Sequence, residues 1–224
     1  VQDQDRMKAV ATLAAGMAHE IKNPLTAIKT FTEYLPGKRN DPAFVDQFTK
    51  VVSSEVGKID SIVKQLLEFS KPTPPRLEKT NIVEVIDDTL HLLDAEFVKH
   101  KIEVIRQFSN SVVWTNGDKK QLQQVFLNLL LNSIQAMPLG GILTTSIQPK
   151  SAENLLVIIS DTGHGITKEH MAHIFDPFFT TKESGSGLGL AITHGILKEH
   201  HCKIAVNSKP NVGTSFEITF NGNK

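Results

Sequence analysis

From Met7 onward, apolar residues fall at Val10, Ala14, Met17, Ile21, Ile28 and Phe31, a heptad-like spacing that Pro24 completes at the intervening position. Spacing of this kind keeps one apolar seam along a helix. A second run, Phe48, Val52, Glu55, Ile59, Ile62, Leu66 and Phe69, keeps the same rhythm, and Val51, Val63 and Leu67 widen its apolar face. Glu55 is its polar exception. Between the runs lies Leu35-Pro-Gly-Lys-Arg-Asn-Asp-Pro-Ala, dense in turn formers, so the pair reads as an antiparallel helical hairpin. Two helices cannot cover faces that broad by themselves. The pattern predicts a homodimer in which two hairpins make a four-helix bundle.

The run Lys71-Pro-Thr-Pro-Pro-Arg stops the second helix, because proline removes the helix donor and clashes with the preceding turn. We divide the chain accordingly into a helical domain over 1–73, a linker over 74–80 and a second domain over 81–224. In that domain the pattern predicts helices over 82–97, 118–137 and 188–200, and strands over 102–108, 112–114, 142–147, 155–160, 203–207 and 215–220. Regular strand–helix alternation of the Rossmann kind is missing. The fold class expected is therefore helical hairpin plus a mixed α/β sandwich with helices over one sheet.

Composition limits the partners. The 224 residues carry 24 Lys+Arg against 24 Asp+Glu, a formal charge of zero, so bulk electrostatics offer nucleic acid no attraction. The single cysteine, Cys202, excludes an intrachain disulfide framework and a cysteine-rich metal site, which fits a reducing compartment. No apolar run approaches membrane-spanning length. The expectation is a cytoplasmic fragment, with any inner-membrane anchor of the full-length protein upstream of a chain that begins without Met.

Candidate chemistry begins on the first helix. His19 lies two residues from Met17 and from Ile21, about 200° around the helix from each, and so projects away from the seam. Glu20 adjoins it and Asn23 follows one turn later, placing an imidazole, an acid and an amide around one point. A neighbouring carboxylate can fix an imidazole's tautomer and accept its proton, leaving a competent nucleophile. Pro24 should bend or loosen this turn.

Three further clusters lie in the second domain. Asn128 and Asn132 share one face of an otherwise apolar helix, suited either to a ligand or to a neighbouring carbonyl. Asp161-Thr-Gly163-His-Gly165 follows an apolar strand, where a carboxylate and spaced glycines let backbone approach a flat ligand or simply form a turn. Phe175-Asp-Pro-Phe-Phe-Thr180-Thr181-Lys182 leads into Gly185-Ser-Gly187-Leu188-Gly189, glycines that open a helix and can turn backbone N–H groups toward phosphate. It is no Walker A loop, since Gly-Lys-Ser/Thr is absent. Gly213-Thr214 precedes the last strand.

The stretch Ala18-His19-Glu20-Ile21-Lys22-Asn23-Pro24-Leu25 resembles the phosphoacceptor box of sensor histidine kinases of two-component systems. The later clusters resemble, in family order, that family's N box, first glycine box, F box, second glycine box and third glycine box. The resemblance covers nearly the whole chain, and the short lid is similar to that of the subgroup that follows a sensor or PAS domain in nitrogen or stress circuits. It implies a protein-histidine kinase with a GHKL (Bergerat) ATPase domain that binds ATP and Mg²⁺. His19 would be phosphorylated at Nε2, Glu20 would orient or deprotonate it, and Asn23 would position water for regulator dephosphorylation. Asn132 would meet Mg²⁺, Asn128 would lie near the phosphates, and Asp161 would accept from the adenine amino group. Gly163, Gly165, Gly185, Gly187, Leu188, Gly189 and Thr214 would shape the nucleotide site, with Thr180, Thr181 and Lys182 on its lid. A response-regulator receiver domain and an upstream sensor domain are the partners implied. The alternatives are a GHKL-type ATPase acting on another target and a nucleotide-binding dimeric scaffold without phosphotransfer.

Overall fold

The computed structural model describes residues 21–70, 74–108, 112–150, 154–182 and 187–221. Val10, Ala14, Met17, His19, Glu20 and Gly185 lie outside the described residues, as do the side chains of Leu66, Leu67 and Phe69. The chain divides into two compact units, Val1–Pro72 with Pro177–Leu188 and Thr73–Asp176 with Gly189–Lys224.

In the first unit, helix α1 covers 21–38 and α2 covers Pro42–Ser70. Asp41 starts α2: its carboxylate accepts from the backbone N–H groups of Ala43 at 3.0 Å and Phe44 at 3.4 Å, and Pro42 sits where a missing N–H is harmless. The turn is closed by Phe31 stacked on Phe44, ring centroids 6.0 Å apart, with the Lys38 ammonium over Phe44. Residues 21–38 stay helical through Pro24, which is buried, and the Thr26 hydroxyl donates to the Lys22 carbonyl at 2.8 Å. The seam residues Ile21, Ile28, Phe31, Phe48, Val52 and Ile59 are only half-buried, and Leu25, Val45, Val56 and Val63 are exposed. Glu55 is answered by Lys58, one turn on, and its side chain is 14% exposed.

The second unit is built on a five-stranded sheet in the order β2-β4-β5-β7-β6, formed by Ile102–Gln107, Gly141–Pro149, Asn154–Asp161, Gly213–Asn221 and Lys203–Lys209. Only β2 and β4 run parallel; the remaining pairs are antiparallel. Alternate residues Leu143, Val157, Ile159, Phe216, Ile218 and Phe220 point into one core with the buried faces of α3 (Ile82–Leu92), α5 (Lys119–Ala136) and α7 (Gly189–Glu199).

Three local features depart from the pattern. Residues 78–80 of the expected linker, with Asn81, form strand β1 (Glu78–Asn81), which pairs antiparallel with β3 (Trp114–Gly117). Its residues carry no hydrophobic alternation; the inward pair is Thr80 with Thr115, and the Thr80 hydroxyl donates to the Gly117 carbonyl at 2.7 Å. The same pairing shifts β3 from the expected 112–114 to 114–117. The helix expected over 82–97 breaks at Leu93, where the turn tightens to the Leu90 carbonyl, and α4 (Asp94–Lys99) restarts with Asp94 and Glu96 in its first turn. Finally, Thr167 caps a short helix α6 (Lys168–Met171) that periodicity is too brief to reveal.

Candidate functional site

Helix α5 is aimed by its first residue. Asp118 caps it, accepting from the Lys120 and Gln121 N–H groups at 3.0 and 3.2 Å, and its second oxygen accepts from Arg76 N–H at 3.0 Å. Burial pushes the Asp118 pKa up, but the three backbone donors and nearby His200 together hold it below the ordinary value. His200 is itself buried, its Nε2 accepting from Asp118 N–H at 3.0 Å and its Nδ1 facing the Ile196 carbonyl at 2.8 Å, which fixes the tautomer with hydrogen on Nδ1.

With Leu122, Val125, Phe126, Leu129 and Leu130 in the core, α5 turns Asn128 and Asn132 to a half-buried face. The Asn128 amide nitrogen donates to the Gly189 carbonyl at 3.1 Å and lies 3.4 Å from the Thr193 hydroxyl. Of the two sequence readings for Asn128, the bond to a neighbouring carbonyl is therefore realised. It ties α5 to the first turn of α7.

Asp161 ends β5 between α5 and β7 and is 5% exposed. Its Oδ1 accepts from the N–H groups of Gly163 at 2.9 Å and Thr214 at 3.3 Å, and its Oδ2 accepts from the Ser133 hydroxyl at 3.0 Å. Burial raises its pKa, opposed by those three donors and by His164. A carboxylate oxygen offers about two lone-pair sites, so Oδ2 keeps one for a donor on a ligand. Gly163 is needed for close approach: a Cβ there would lie 2.6 Å from the Ala136 carbonyl oxygen. Gly165 continues the loop, whose Ile166 N–H donates to Ser208 Oγ at 2.8 Å, while Asn211 N–H donates to the His164 carbonyl at 2.8 Å. Ser208 also meets Thr214, hydroxyl to hydroxyl at 2.9 Å. His164 is exposed.

The segment 177–188 belongs to the first unit. Phe178, with φ of 66°, donates its N–H to the Gly187 carbonyl at 3.0 Å, and Gly187 has φ of 62°. A side chain on Gly187 would overlap the Phe178 backbone, so this clasp requires glycine. Thr180 Oγ1 accepts from Lys182 N–H at 3.1 Å in a tight local turn; Thr180 and Thr181 are exposed and Leu188 is buried. On α1, Asn23 and Lys22 are exposed.

The structure thus gathers Asp161, Gly163 and Thr214 around one carboxylate, and Asn128 with Gly189 across two helices. Ser133, Thr193 and Ser208 complete these clusters and were not read from the sequence. Ser133 follows Asn132 in the helix, and its partner is remote in the chain, so no spacing marks it.

Two family models match the chain: His Kinase A (phospho-acceptor) domain over residues 9–75, and Histidine kinase-, DNA gyrase B-, and HSP90-like ATPase over residues 117–224. The chain belongs to the sensor histidine kinases. Similar proteins include the signal transduction histidine-protein kinase AtoS of Escherichia coli, 35% identical over 96% of this chain, and sporulation kinase E of Bacillus subtilis, 34% identical over 98%. The chain spans 35% and 29% of the lengths of these two curated relatives. Among solved structures, histidine kinase ThkA in complex with response regulator protein TrrA matches with a TM-score of 0.83 and 27% identity, covering 98% of this chain and 64% of that one. Histidine kinase AdeS of Acinetobacter baumannii shares the fold, with a TM-score of 0.72. Within this histidine-kinase chain, the ATPase family match makes the region around Asp161 an ATP-binding domain. Among the described residues no helix is long and apolar enough to cross a membrane.

Proposed function

We propose that this chain phosphorylates itself on His19 from ATP and passes the phosphoryl group to an aspartate of a response regulator. The observation that carries the reading is the pairing, in one chain, of a phospho-acceptor domain containing His19 with an ATPase domain whose buried Asp161 keeps an acceptor site on Oδ2. Asp161 accepts from the adenine amino group, and Gly163, Gly165 and Thr214 let the base lie against backbone. In this reading Asn128 would lie near the phosphates, Gly185, Gly187, Leu188 and Gly189 would shape the nucleotide site, and Thr180, Thr181 and Lys182 would belong to its lid. Mg²⁺, held through Asn132 and the phosphates, would neutralise phosphate charge. The amide oxygen of asparagine is the hard donor such an ion takes. His19 Nε2 is the nucleophile toward the γ-phosphorus, ADP is the leaving group, and Glu20 orients the imidazole.

The half-buried seam of α1 and α2 supports a homodimer closed as a four-helix bundle. Residues 1–73 then serve dimerisation and phosphotransfer, 74–80 link, and 81–224 bind ATP, with a sensor domain upstream. A receiver domain is the partner, a reading supported by the regulator seated on ThkA. Asn23, exposed on α1, positions the water that removes phosphate from the bound regulator. Mixing labelled chain with purified receiver domains should move the label to one of them. Asn23→Ala should slow the later release of inorganic phosphate at least about tenfold while leaving labelling of His19 within about twofold. Equal losses in both steps would refute the division of roles.

A further inference from the structure

Resting on the adenine reading of Asp161, we infer that Ser133 is a positioning residue that sets the base selectivity of the nucleotide site. Ser133 is 1% exposed, and its hydroxyl lies 3.0 Å from Asp161 Oδ2, the same oxygen left with an acceptor site. The other oxygen is committed to the Gly163 and Thr214 N–H groups. An ionised carboxylate only accepts, so the Ser133 hydroxyl must donate to it. Three donors therefore converge on Asp161 and all favour its charged form, against the burial that disfavours it. Among the described residues Ser133 alone donates to the oxygen that would meet the ligand. It fixes the direction of the remaining lone pair and keeps Oδ2 an acceptor.

The chemical consequence concerns position 6 of the purine. An acceptor-only Oδ2 welcomes the 6-amino group of adenine and repels the 6-oxo group of hypoxanthine. Without the Ser133 donor the neutral carboxyl becomes less costly, and a neutral carboxyl can donate to a 6-oxo group. Ser133 thereby sharpens discrimination between the two bases, which a residue merely filling space beside α5 would not do.

The test compares ADP and IDP binding to the 224-residue chain by isothermal titration. Ser133→Ala should weaken ADP about five- to tenfold and leave IDP unchanged or tighter, so that the selectivity ratio narrows. In an Asp161→Asn background the same change should have no further effect on ADP, since the two residues act as one unit. Ser133→Cys, which keeps the shape but donates weakly, should narrow selectivity in the same direction and serves if the alanine variant melts below the assay temperature. Equal weakening of ADP and IDP, additivity with Asp161→Asn, or wild-type behaviour of Ser133→Ala overturns the inference alone. Undiminished ADP binding by Asp161→Asn would remove the adenine reading itself.

Discussion

Burial of Asp161 opposes its charge. Its folded pKa is raised, so the stability it contributes is fully present below the unfolded carboxylate pKa and is lost as pH rises through the folded value. At neutral pH the ionised group is therefore a cost to the free protein, and the proposed adenine donor would complete its hydrogen bonds. An asparagine at this position keeps an oxygen for the Gly163 and Thr214 N–H groups and turns an amide toward Ser133 Oγ. Asp161→Asn should accordingly melt no lower than wild type at neutral pH, with the difference shrinking as pH falls, while ADP affinity drops at least about tenfold. Thermal unfolding followed across pH, together with ADP titration, checks both halves. A variant that melts lower at neutral pH would contradict the reading of the carboxylate as a destabilised, ligand-directed charge. The Asp161 motif was legible in the sequence because an acid and two glycines follow an apolar strand. Its partner Ser133 was not, since a hydrogen bond between residues 28 apart leaves no local pattern.

Among the elements, α5 carries the most. Its Asp118 cap answers two helix N–H groups and one from Arg76, so a single carboxylate joins the start of α5 to the chain entering the second unit. Asp118→Ala should cost about 1 kcal/mol, the usual worth of an N-cap. The Asp118 pKa is lowered on folding, so its contribution is present above the ordinary carboxylate range and is lost as pH falls through the folded value. Denaturant unfolding at neutral pH and again in acid should show the difference and then its disappearance. An undiminished gap in acid would contradict the electrostatic account of the cap. Elements with a strong period, α5, β4, β5 and β7, were legible because each buries one face. Strand β1 was hidden because Glu-Lys-Thr-Asn has only Thr80 to bury, and only its pairing with β3 makes it a strand. The break at Leu93 was hidden too, since Leu90, Leu93 and Phe97 continue one helical stripe across it.

At the scale of the whole molecule, the two halves differ in how they find a core. The second unit closes one between its sheet and helices α3, α4, α5 and α7. The hairpin leaves Leu25, Val45, Val56 and Val63 exposed and much of its seam half-covered, which the proposed pairing with a second hairpin would cover. The order of the chemical clusters along the chain was legible, because each needs particular residue types at short spacing; the ties that hold them together, Asn128 to Gly189 and Ser208 to Thr214, belong to the fold. The central claim is that ATP bound by one unit phosphorylates the imidazole of the other. Incubation with γ-labelled ATP and Mg²⁺ should leave acid-labile, alkali-stable label on the wild-type chain and none on His19→Gln, whose ADP binding should be unchanged. Label retained by His19→Gln would contradict it.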